Sequence, residues 1–565
     1  MLGNLSQPEL FDKVETSTGV VSLLGVEYLH LKTAGGGDLY LTCFGRPFWQ
    51  NLLPENWYAP EWFEAKRERL EGTSTVYKVP TRCVDGTTLH LVVKWSRVGE
   101  TVPLDTFTFN KFMHAEFNSP FEEFALVMEL RRGLAGPRAI RIRTQRPLGI
   151  FVPTERVELW QTGRSEDKIR TKVARHPGVE LDMLRRYVVL YGWIEGLDAV
   201  KIADENVLNG SGRAEFLART TSLVTHELER KGYRVIDMKP AHVILRLRKD
   251  GQLLRERNGQ LAYALVDYEL LERTPEHEQV VRSANRQIYL KHTARRFEAA
   301  PESMPAHLHP TQLLEVDYIF GHAESTGGLL WVVGRDPDLF NYFLPERWRR
   351  TPNRRLSSRN PVFRTCTKDN INLVWKVSHL GDRPWLANPA ADASLVRQHG
   401  FNSPFEEMAF ALELARLGVK TVYPRAIYMT GSKVAPLRAA PEEERYNRLA
   451  HLRTPDGHPV LRRDCDYITI WGNWNGPDEL LATHDGRYFT TKNVRHACAS
   501  RIISLDVLDE LMRQQASRLA QCGFEDLNPK PDHLLLCFDS ENRLVLDENG
   551  LPEVRLCNFE LIRRT

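Results

Sequence analysis

The alternation of apolar and polar residues predicts short strands and amphipathic helices along the whole chain. "TRCVDGTTLHLVVKW" is typical of two strands joined by an Asp85-Gly86 turn. "RYVVLYGWIEG" predicts a buried strand that ends at Gly192, and "ARTTSLVTHELERKGY" predicts a helix closed by Gly232. Two further apolar segments, "HVILRLR" and "LAYALVDYELL", are joined by a polar turn. The pattern therefore predicts a mixed α/β (α+β) protein with mainly antiparallel sheets.

One helix start occurs twice with the same seven residues. The stretch "FNSPFEEFALVMEL" begins at Phe117, and "FNSPFEEMAFALEL" begins at Phe401. In the first copy Ser119 is a good N-cap and Glu122 falls three positions later, which completes a capping box. At minimum, the repeated residues predict two helices that begin in the same way.

Other segments recur in the same order and extend the repeat over most of the chain. "LHLVVKWSRVGE" is answered by "INLVWKVSHLGD", "YVVLYGWIEGLD" by "YITIWGNWNGPD", and "VIDMKPAHVIL" by "DLNPKPDHLLL". This order predicts a tandem duplication of one domain of about 250 residues. We expect repeat 1 over residues 1–274, a linker over 275–314 and repeat 2 over 315–565, with the repeats packed on each other.

Composition excludes few classes of function. The 76 basic and 73 acidic residues give a formal charge of +3, so no strong field attracts nucleic acid or an anionic membrane. No leader-like segment and no run of about 20 apolar residues is evident, and we expect a cytoplasmic protein without a membrane span. The eight cysteines show no zinc-site spacing, and we expect them to be reduced and buried.

The order of these elements resembles the protein-kinase-like superfamily. A strand with Lys94 precedes a helix with Glu123, and "DMKPAHVIL" and "VDYEL" follow at Asp237 and Asp267. The resemblance implies that Lys94 holds nucleotide phosphates with Glu123 as its helix partner, that Asp237 and Lys239 belong to the catalytic loop, and that Asp267 binds Mg²⁺. As alternatives, Lys94 and Glu123 are an ordinary ion pair, Asp237 caps a turn and Asp267 closes a hairpin.

The resemblance implies further site residues, although this sequence departs from the family pattern at some of them. The glycine-rich loop is reduced to "LEGTSTVYKV", where Gly72 remains and Thr73 and Ser74 are candidate phosphate contacts. His242 stands where a second metal ligand is expected, although imidazole suits Mg²⁺ poorly and a structural role is the alternative. The segment at Gly192 is expected to line an adenine pocket through its backbone. The resemblance covers no large helical C-terminal lobe, so each module would have a reduced one.

The second copy keeps the lysine and the glutamate but loses both aspartates. Lys376 and Glu407 are retained, whereas Asn528 and Asn558 replace Asp237 and Asp267. Neutral amides cannot neutralise Mg²⁺ or accept a proton, so this copy resembles a pseudokinase.

Two functions remain open at this point. One is an ATP- and Mg²⁺-dependent phosphotransferase acting on an unidentified small-molecule or protein acceptor, with its active site in repeat 1. The other is an inactive pseudokinase pair that acts as a scaffold or nucleotide-sensing partner. No nucleic-acid partner is expected.

Overall fold

The computed structural model has two compact units. Residues 18–565 are described except for 72–74, 99–101, 103–114, 156–184, 206–209, 249–251, 257–258, 299–303, 349–350, 352, 358–360, 381–397, 432–443, 463–464, 474–489, 540, 542 and 549. The first unit holds the described residues up to Val281 together with Pro305–His307, and the second holds the other described residues from Arg282 onward. Among the described residues, no helix is long and apolar enough to cross a membrane.

The first unit is built on an eight-stranded antiparallel sheet. Its strands lie in the order β1-β2-β3-β8-β9-β6-β5-β4. The fourteen strands of this unit are β1 Thr18–Leu23, β2 Val26–Lys32, β3 Asp38–Leu41, β4 Glu68–Arg69, β5 Val76–Pro80, β6 His90–Trp95, β7 Arg143–Thr144, β8 Pro147–Val152, β9 Val188–Gly192, β10 Leu197–Asp198, β11 Tyr233–Val235, β12 Val243–Leu245, β13 Tyr263–Leu265 and β14 Leu271–Arg273. Strands β10, β12, β13 and β7 form a second sheet, and β11 pairs with β14.

Six helices begin in the first unit: α1 Trp49–Leu52, α2 Pro60–Lys66, α3 Pro120–Arg132, α4 Ala199–Glu205, α5 Gly210–Arg230 and α6 Pro275–Ala294. The structure confirms the capping box of α3, because the Ser119 hydroxyl accepts from the Glu122 N–H at 3.2 Å and the Glu122 carboxylate accepts from the Ser119 N–H at 3.0 Å. Helix α5 is also confirmed and ends before Gly232, which adopts a φ of +80°.

The second unit has a large sheet with the corresponding strand order, β15-β16-β17-β21-β22-β20-β19-β18. Its strands are β15 His309–Leu313, β16 Val316–Ala323, β17 Gly328–Val333, β18 Asn353–Arg355, β19 Val362–Cys366, β20 Asn372–Val377, β21 Tyr423–Met429, β22 Tyr467–Gly472, β23 Thr490–Asn493, β24 Phe524–Asp526, β25 Leu534–Phe538, β26 Val554–Leu556 and β27 Ile562–Arg564. The helices are α7 Pro345–Trp348, α8 Pro404–Arg416, α9 Glu444–Asn447, α10 Val494–Ala499 and α11 Leu505–Gln521. The Ser403 capping box at the start of α8 is present as predicted.

The large sheet of the first unit is covered on both faces, and this decides where Lys94 lies. Leu91 and Val93 of β6 belong to a buried apolar cluster on one face. Since neighbouring side chains of a strand point to opposite faces, Lys94 lies on the other face. Helix α3 packs on that other face through Phe121, whose ring meets Tyr40 of β3 at 5.2 Å. The helix that carries Glu123 is therefore held close to the lysine.

The segment 275–314, expected as a linker between the repeats, contains helix α6 and strand β15. The cysteines are free as expected, but the expectation that they are buried was wrong for most of them. Cys43 and Cys83 are exposed, five are intermediate, and Cys537 alone among the eight, all of which are described, is buried. Apolar periodicity reports the burial of neighbouring positions and gives little information about an isolated thiol.

Candidate functional site

Lys94 is the centre of a buried charge cluster in the first unit. Its residue is 5% exposed, and its strand is hydrogen-bonded on both sides, to β5 and to β9. The Nζ atom lies 2.5 Å from Asp267 Oδ1 and 2.9 Å from Glu269 Oε2. A buried ammonium needs such partners, since removing it from water costs several kcal/mol. The structure therefore brings together the lysine and the aspartate that the sequence had placed 173 residues apart.

Asp267 is placed by a strand pair and an unusual backbone conformation. Strands β12 and β13 pair antiparallel with Val243 opposite Leu265, and the Val266 N–H donates to the His242 carbonyl at 2.9 Å. Directly after this bond Asp267 adopts a φ of +68°. Aspartate is among the few residues other than glycine that enter this left-handed region readily. The turn directs the carboxylate toward Lys94 instead of continuing the strand.

The electrostatics of the cluster keep Asp267 ionised. Burial alone would raise the pKa of Asp267, but Lys94 and then His242 lower it to about 2. Burial would likewise lower the pKa of Lys94, yet the carboxylates of Asp267, Glu269 and Glu123 raise it above its ordinary value. At neutral pH the pair is therefore an ammonium and a carboxylate. Such a pair offers one cation and one anion to an incoming ligand.

Glu123 lies in the core near this cluster but has a different hydrogen-bond partner. Its Oε1 accepts a hydrogen bond from the Tyr191 hydroxyl at 2.6 Å, and both residues are buried. Burial raises the pKa of Glu123 to about 7, an effect that Lys94 and the Tyr191 hydrogen bond partly oppose. The sequence predicted Glu123 as the ion-pair partner of Lys94. In the structure the ion pairs of Lys94 instead connect it with Asp267 and Glu269.

Asp237 and His242 both lie on the segment that follows β11, and His242 reaches Asp267, which follows β13. The Lys239 ammonium lies 3.1 Å from Asp237 Oδ2, and their side chains are 49% and 24% exposed, respectively. His242 Nε2 lies 3.7 Å from Asp267 Oδ2. Burial lowers the pKa of His242, although Asp267 opposes this effect. The buried Nδ1 atom of His242 has no hydrogen-bond partner among the described residues. The loop thus presents one solvent-accessible carboxylate beside one buried imidazole.

The remaining predicted site residues either lie outside the described residues or have their backbone donors engaged within the protein. Gly72, Thr73 and Ser74, the candidate phosphate contacts, lie outside the described residues. Gly192 ends β9 as predicted, but its N–H donates to the Arg146 carbonyl at 2.9 Å. The next N–H, of Trp193, donates to the His90 carbonyl at 2.9 Å. Both backbone donors are therefore engaged within the protein, so an adenine base would have to use other groups of this segment.

The corresponding site of the second unit has a different ion-pair arrangement. Lys376 Nζ lies 2.7 Å from Glu407 Oε2 and 3.2 Å from Glu560 Oε1. Asn558 stands where the first unit has Asp267, and its amide donates to His533 Nε2 at 3.1 Å. The lysine of this unit is paired with its helix glutamate, and a neutral amide stands where the first unit has the Asp267 carboxylate.

Two residues of the site were missed by the sequence analysis. Glu269 contacts Lys94, and its counterpart Glu560 contacts Lys376. The sequence did contain a signal for Glu269. The segments "VDYEL" and "CNFEL" both keep the glutamate, while the residue two positions earlier changes from Asp to Asn. Tyr191 had no such signal, because the corresponding residue of the second unit is Trp471.

The described residues around Asp267 do not form a complete group of metal ligands. In the part of the chain that the structure describes, the cluster of three or more potential ligands with atoms within 4.8 Å consists of His292, Asp336 and Asp338, far from Lys94 in sequence. Asp267 and His242 alone do not complete such a group. A cation at Asp267 would therefore need oxygen atoms from elsewhere, as Mg²⁺ commonly takes from phosphates and water.

No family model and no curated protein sequence matches the chain. Among solved structures, the chain is similar to a crystal structure of Rad53 1–466 in complex with AMP-PNP, with 11% identity over 46% of this chain and 68% of that chain and a TM-score of 0.17. A TM-score this low does not establish a common fold.

Proposed function

We propose that the first unit binds a nucleoside triphosphate such as ATP with Mg²⁺ and transfers a phosphoryl group to an acceptor hydroxyl. The observation that carries this proposal is the ion pair at 2.5 Å between buried Lys94 and half-buried Asp267, with Asp237 on the loop that precedes His242. Phosphoryl transfer needs a cation on the phosphates, a carboxylate for the metal and a group that orients the acceptor. The three side chains are of the required types.

Each residue has a definite role in this proposal. Lys94 donates hydrogen bonds to phosphate oxygens, which replace the carboxylates that it contacts in the free protein. The ionised Asp267 fits Mg²⁺ as an oxygen ligand, whereas the imidazole of His242 suits it less. When bound, Mg²⁺ would neutralise charge on the phosphates. Asp237 is solvent-accessible and accepts the proton of the acceptor hydroxyl, while Lys239 beside it holds its carboxylate in place.

We further propose that the two units are a duplicated kinase-like module whose second copy is inactive. The equal strand orders, the two capping boxes and the two buried lysines support a common origin. The second copy lacks both carboxylates, because Asn528 and Asn558 occupy their positions. It then serves to scaffold or sense and does not catalyse.

Two specific observations favour the rival function, an inactive scaffold in both units. Lys94 occupies Asp267 Oδ1, and the backbone donors of Gly192 and Trp193 are already engaged. A site whose charges satisfy each other is stable without a ligand. Under this alternative, the first unit binds nucleotide weakly and without dependence on metal.

Calorimetric titration of the full chain with ATP, in Mg²⁺ and in EDTA, separates the two functions. The phosphotransferase predicts binding that requires Mg²⁺, and Asp237→Asn should keep this binding while lowering turnover by orders of magnitude. The matched control is Asn528→Asp in the second unit, which should add no turnover. Binding that is equal in Mg²⁺ and EDTA, or absent in both, contradicts the phosphotransferase and leaves the scaffold.

A further inference from the structure

The Tyr191 hydroxyl has a single well-defined acceptor in the core of the first unit. It donates to Glu123 Oε1 at 2.6 Å, and the two residues are 2% and 3% exposed. The tyrosine ring is held in place by Phe124 and by Tyr268, with ring centroids 5.2 and 5.3 Å away. Burial and the Glu123 carboxylate raise the pKa of Tyr191, so the hydroxyl keeps its proton and remains a donor. Glu123 therefore has a fixed neutral partner.

The second unit shows the same scaffold without this hydroxyl. Trp471 takes the place of Tyr191 and stacks on Phe559 with centroids 5.3 Å apart, as Tyr191 packs on Tyr268. The Trp471 indole donates to the Thr469 hydroxyl at 3.0 Å. Glu407 then receives its hydrogen bond from Lys376 at 2.7 Å. In the unit without the tyrosine hydroxyl, lysine and helix glutamate are paired.

A buried carboxylate must have a donor, and only a limited number of donors can reach it. If the Tyr191 hydroxyl donates to Glu123, Lys94 gains less free energy by pairing with Glu123. The lysine then stays paired with Asp267 and Glu269. If the tyrosine hydroxyl is absent, an uncompensated buried carboxylate is costly, and Lys94 is a cation whose charge already acts on Glu123. The Lys94 pKa already responds to Glu123, which indicates that the two charges are close.

We propose that Tyr191 is a positioning residue that holds Glu123 away from Lys94 and thereby keeps Lys94 on Asp267. We call the hydrogen bond between Tyr191 and Glu123 the latch of the first unit: it is closed when this bond is made and open when it is broken. With the latch closed, Lys94 blocks the carboxylate on which a cation would bind. With it open, the lysine pairs with Glu123 and the Asp267 carboxylate is exposed to ligand. This inference rests on the proposed function for its effect on nucleotide binding, but the side-chain exchange itself does not depend on it.

The test uses Tyr191→Phe in the full chain, which removes the hydroxyl and keeps the ring. A crystal structure of the ligand-free variant should show Lys94 Nζ within ion-pair distance of Glu123, as for Lys376 and Glu407. Calorimetry should show Mg²⁺-dependent ATP affinity raised about tenfold, because the apparent affinity increases with the fraction of the competent state. Tyr191→Trp, which copies the second unit, should give the same two results and serves if the phenylalanine variant fails to fold.

The matched control is Tyr268→Phe, which removes the neighbouring buried hydroxyl. That hydroxyl donates to the Leu265 carbonyl and accepts from the Gln145 N–H. The control should leave Lys94 with Asp267 and the ATP affinity unchanged. If Lys94 stays with Asp267 and Glu269 in Tyr191→Phe and Tyr191→Trp, the latch is refuted. If Lys94 moves to Glu123 but neither wild type nor variants bind ATP with Mg²⁺, the latch is supported and the phosphotransferase fails.

Discussion

Replacing Asp267 with asparagine removes one charge from the site and copies what the second unit already has. In the first unit, the pKa of Asp267 is lowered from 3.8 to about 2. This displacement corresponds to roughly 2 kcal/mol of stability at neutral pH, all of which depends on the ionised carboxylate. Lys94 would keep Glu269 as an ion-pair partner, so its charge stays compensated in the variant. We therefore expect Asp267→Asn to fold, with a free energy of unfolding lower by about 1 to 2 kcal/mol.

The effect on ligand binding should be larger than the effect on stability. At an ATP concentration of 100 times its dissociation constant, binding stabilises the wild-type protein by about 2.7 kcal/mol. Asp267→Asn should lose the Mg²⁺-dependent part of this stabilisation, because an amide does not neutralise the metal. Urea unfolding of the full chain, with and without ATP and Mg²⁺, measures both quantities in one series.

Asn558→Asp in the second unit is the matched control. It places a carboxylate beside Lys376 but should bring no Mg²⁺-dependent stabilisation, because Asn528 also differs from the first unit. An Asp267→Asn variant that gains as much from ATP and Mg²⁺ as the wild-type protein would refute the assignment of Asp267 as the metal ligand. An unfolding free energy equal to that of the wild type would refute the calculated cost of losing the charge.

Two further predictions concern stability. Ser119→Ala should lower the free energy of unfolding by about 1 kcal/mol, because the buried Glu122 N–H loses its acceptor. Ser403→Ala is the equivalent change in the second unit, and urea unfolding measures both. If Ser119→Ala instead leaves stability unchanged and abolishes ATP binding, the capping box is a ligand site. The other prediction concerns acid. The pKa values of Asp267 and Glu560 are both lowered to about 2, from 3.8 and 4.5 respectively. Each carboxylate therefore contributes stability that is fully present above its unfolded pKa and is lost as the pH falls toward 2. Unfolding free energies at pH 6, 4 and 3 should therefore fall less steeply in Asp267→Asn than in wild type, and equal slopes would contradict this reading.

The sequence by itself determined the elements whose signals are local. The capping boxes at Ser119 and Ser403 need only the residues of one helical turn, and both helices begin where they were predicted. The Asp85-Gly86 turn is also local, since both residues adopt positive φ and Val84 bridges to Thr87. The strand that carries Lys94 and the one that ends at Gly192 followed from apolar runs between turn signals. The sequence likewise named Lys94 and Asp267 as parts of one site.

The tertiary structure alone decided which charges pair within that site. Glu123, Asp267 and Glu269 all lie within electrostatic reach of Lys94, and a linear pattern cannot rank three carboxylates that compete for one ammonium. Which carboxylate pairs with Lys94 depends on the left-handed turn at Asp267 and on the Tyr191 hydroxyl, which reaches Glu123 from a strand 68 residues away. In the second unit an asparagine and a tryptophan at the same two places leave the lysine to the helix glutamate. The physical reason is that buried charges are satisfied by the donors nearest in space, and that distance is set only when strands and helices from distant parts of the chain pack together.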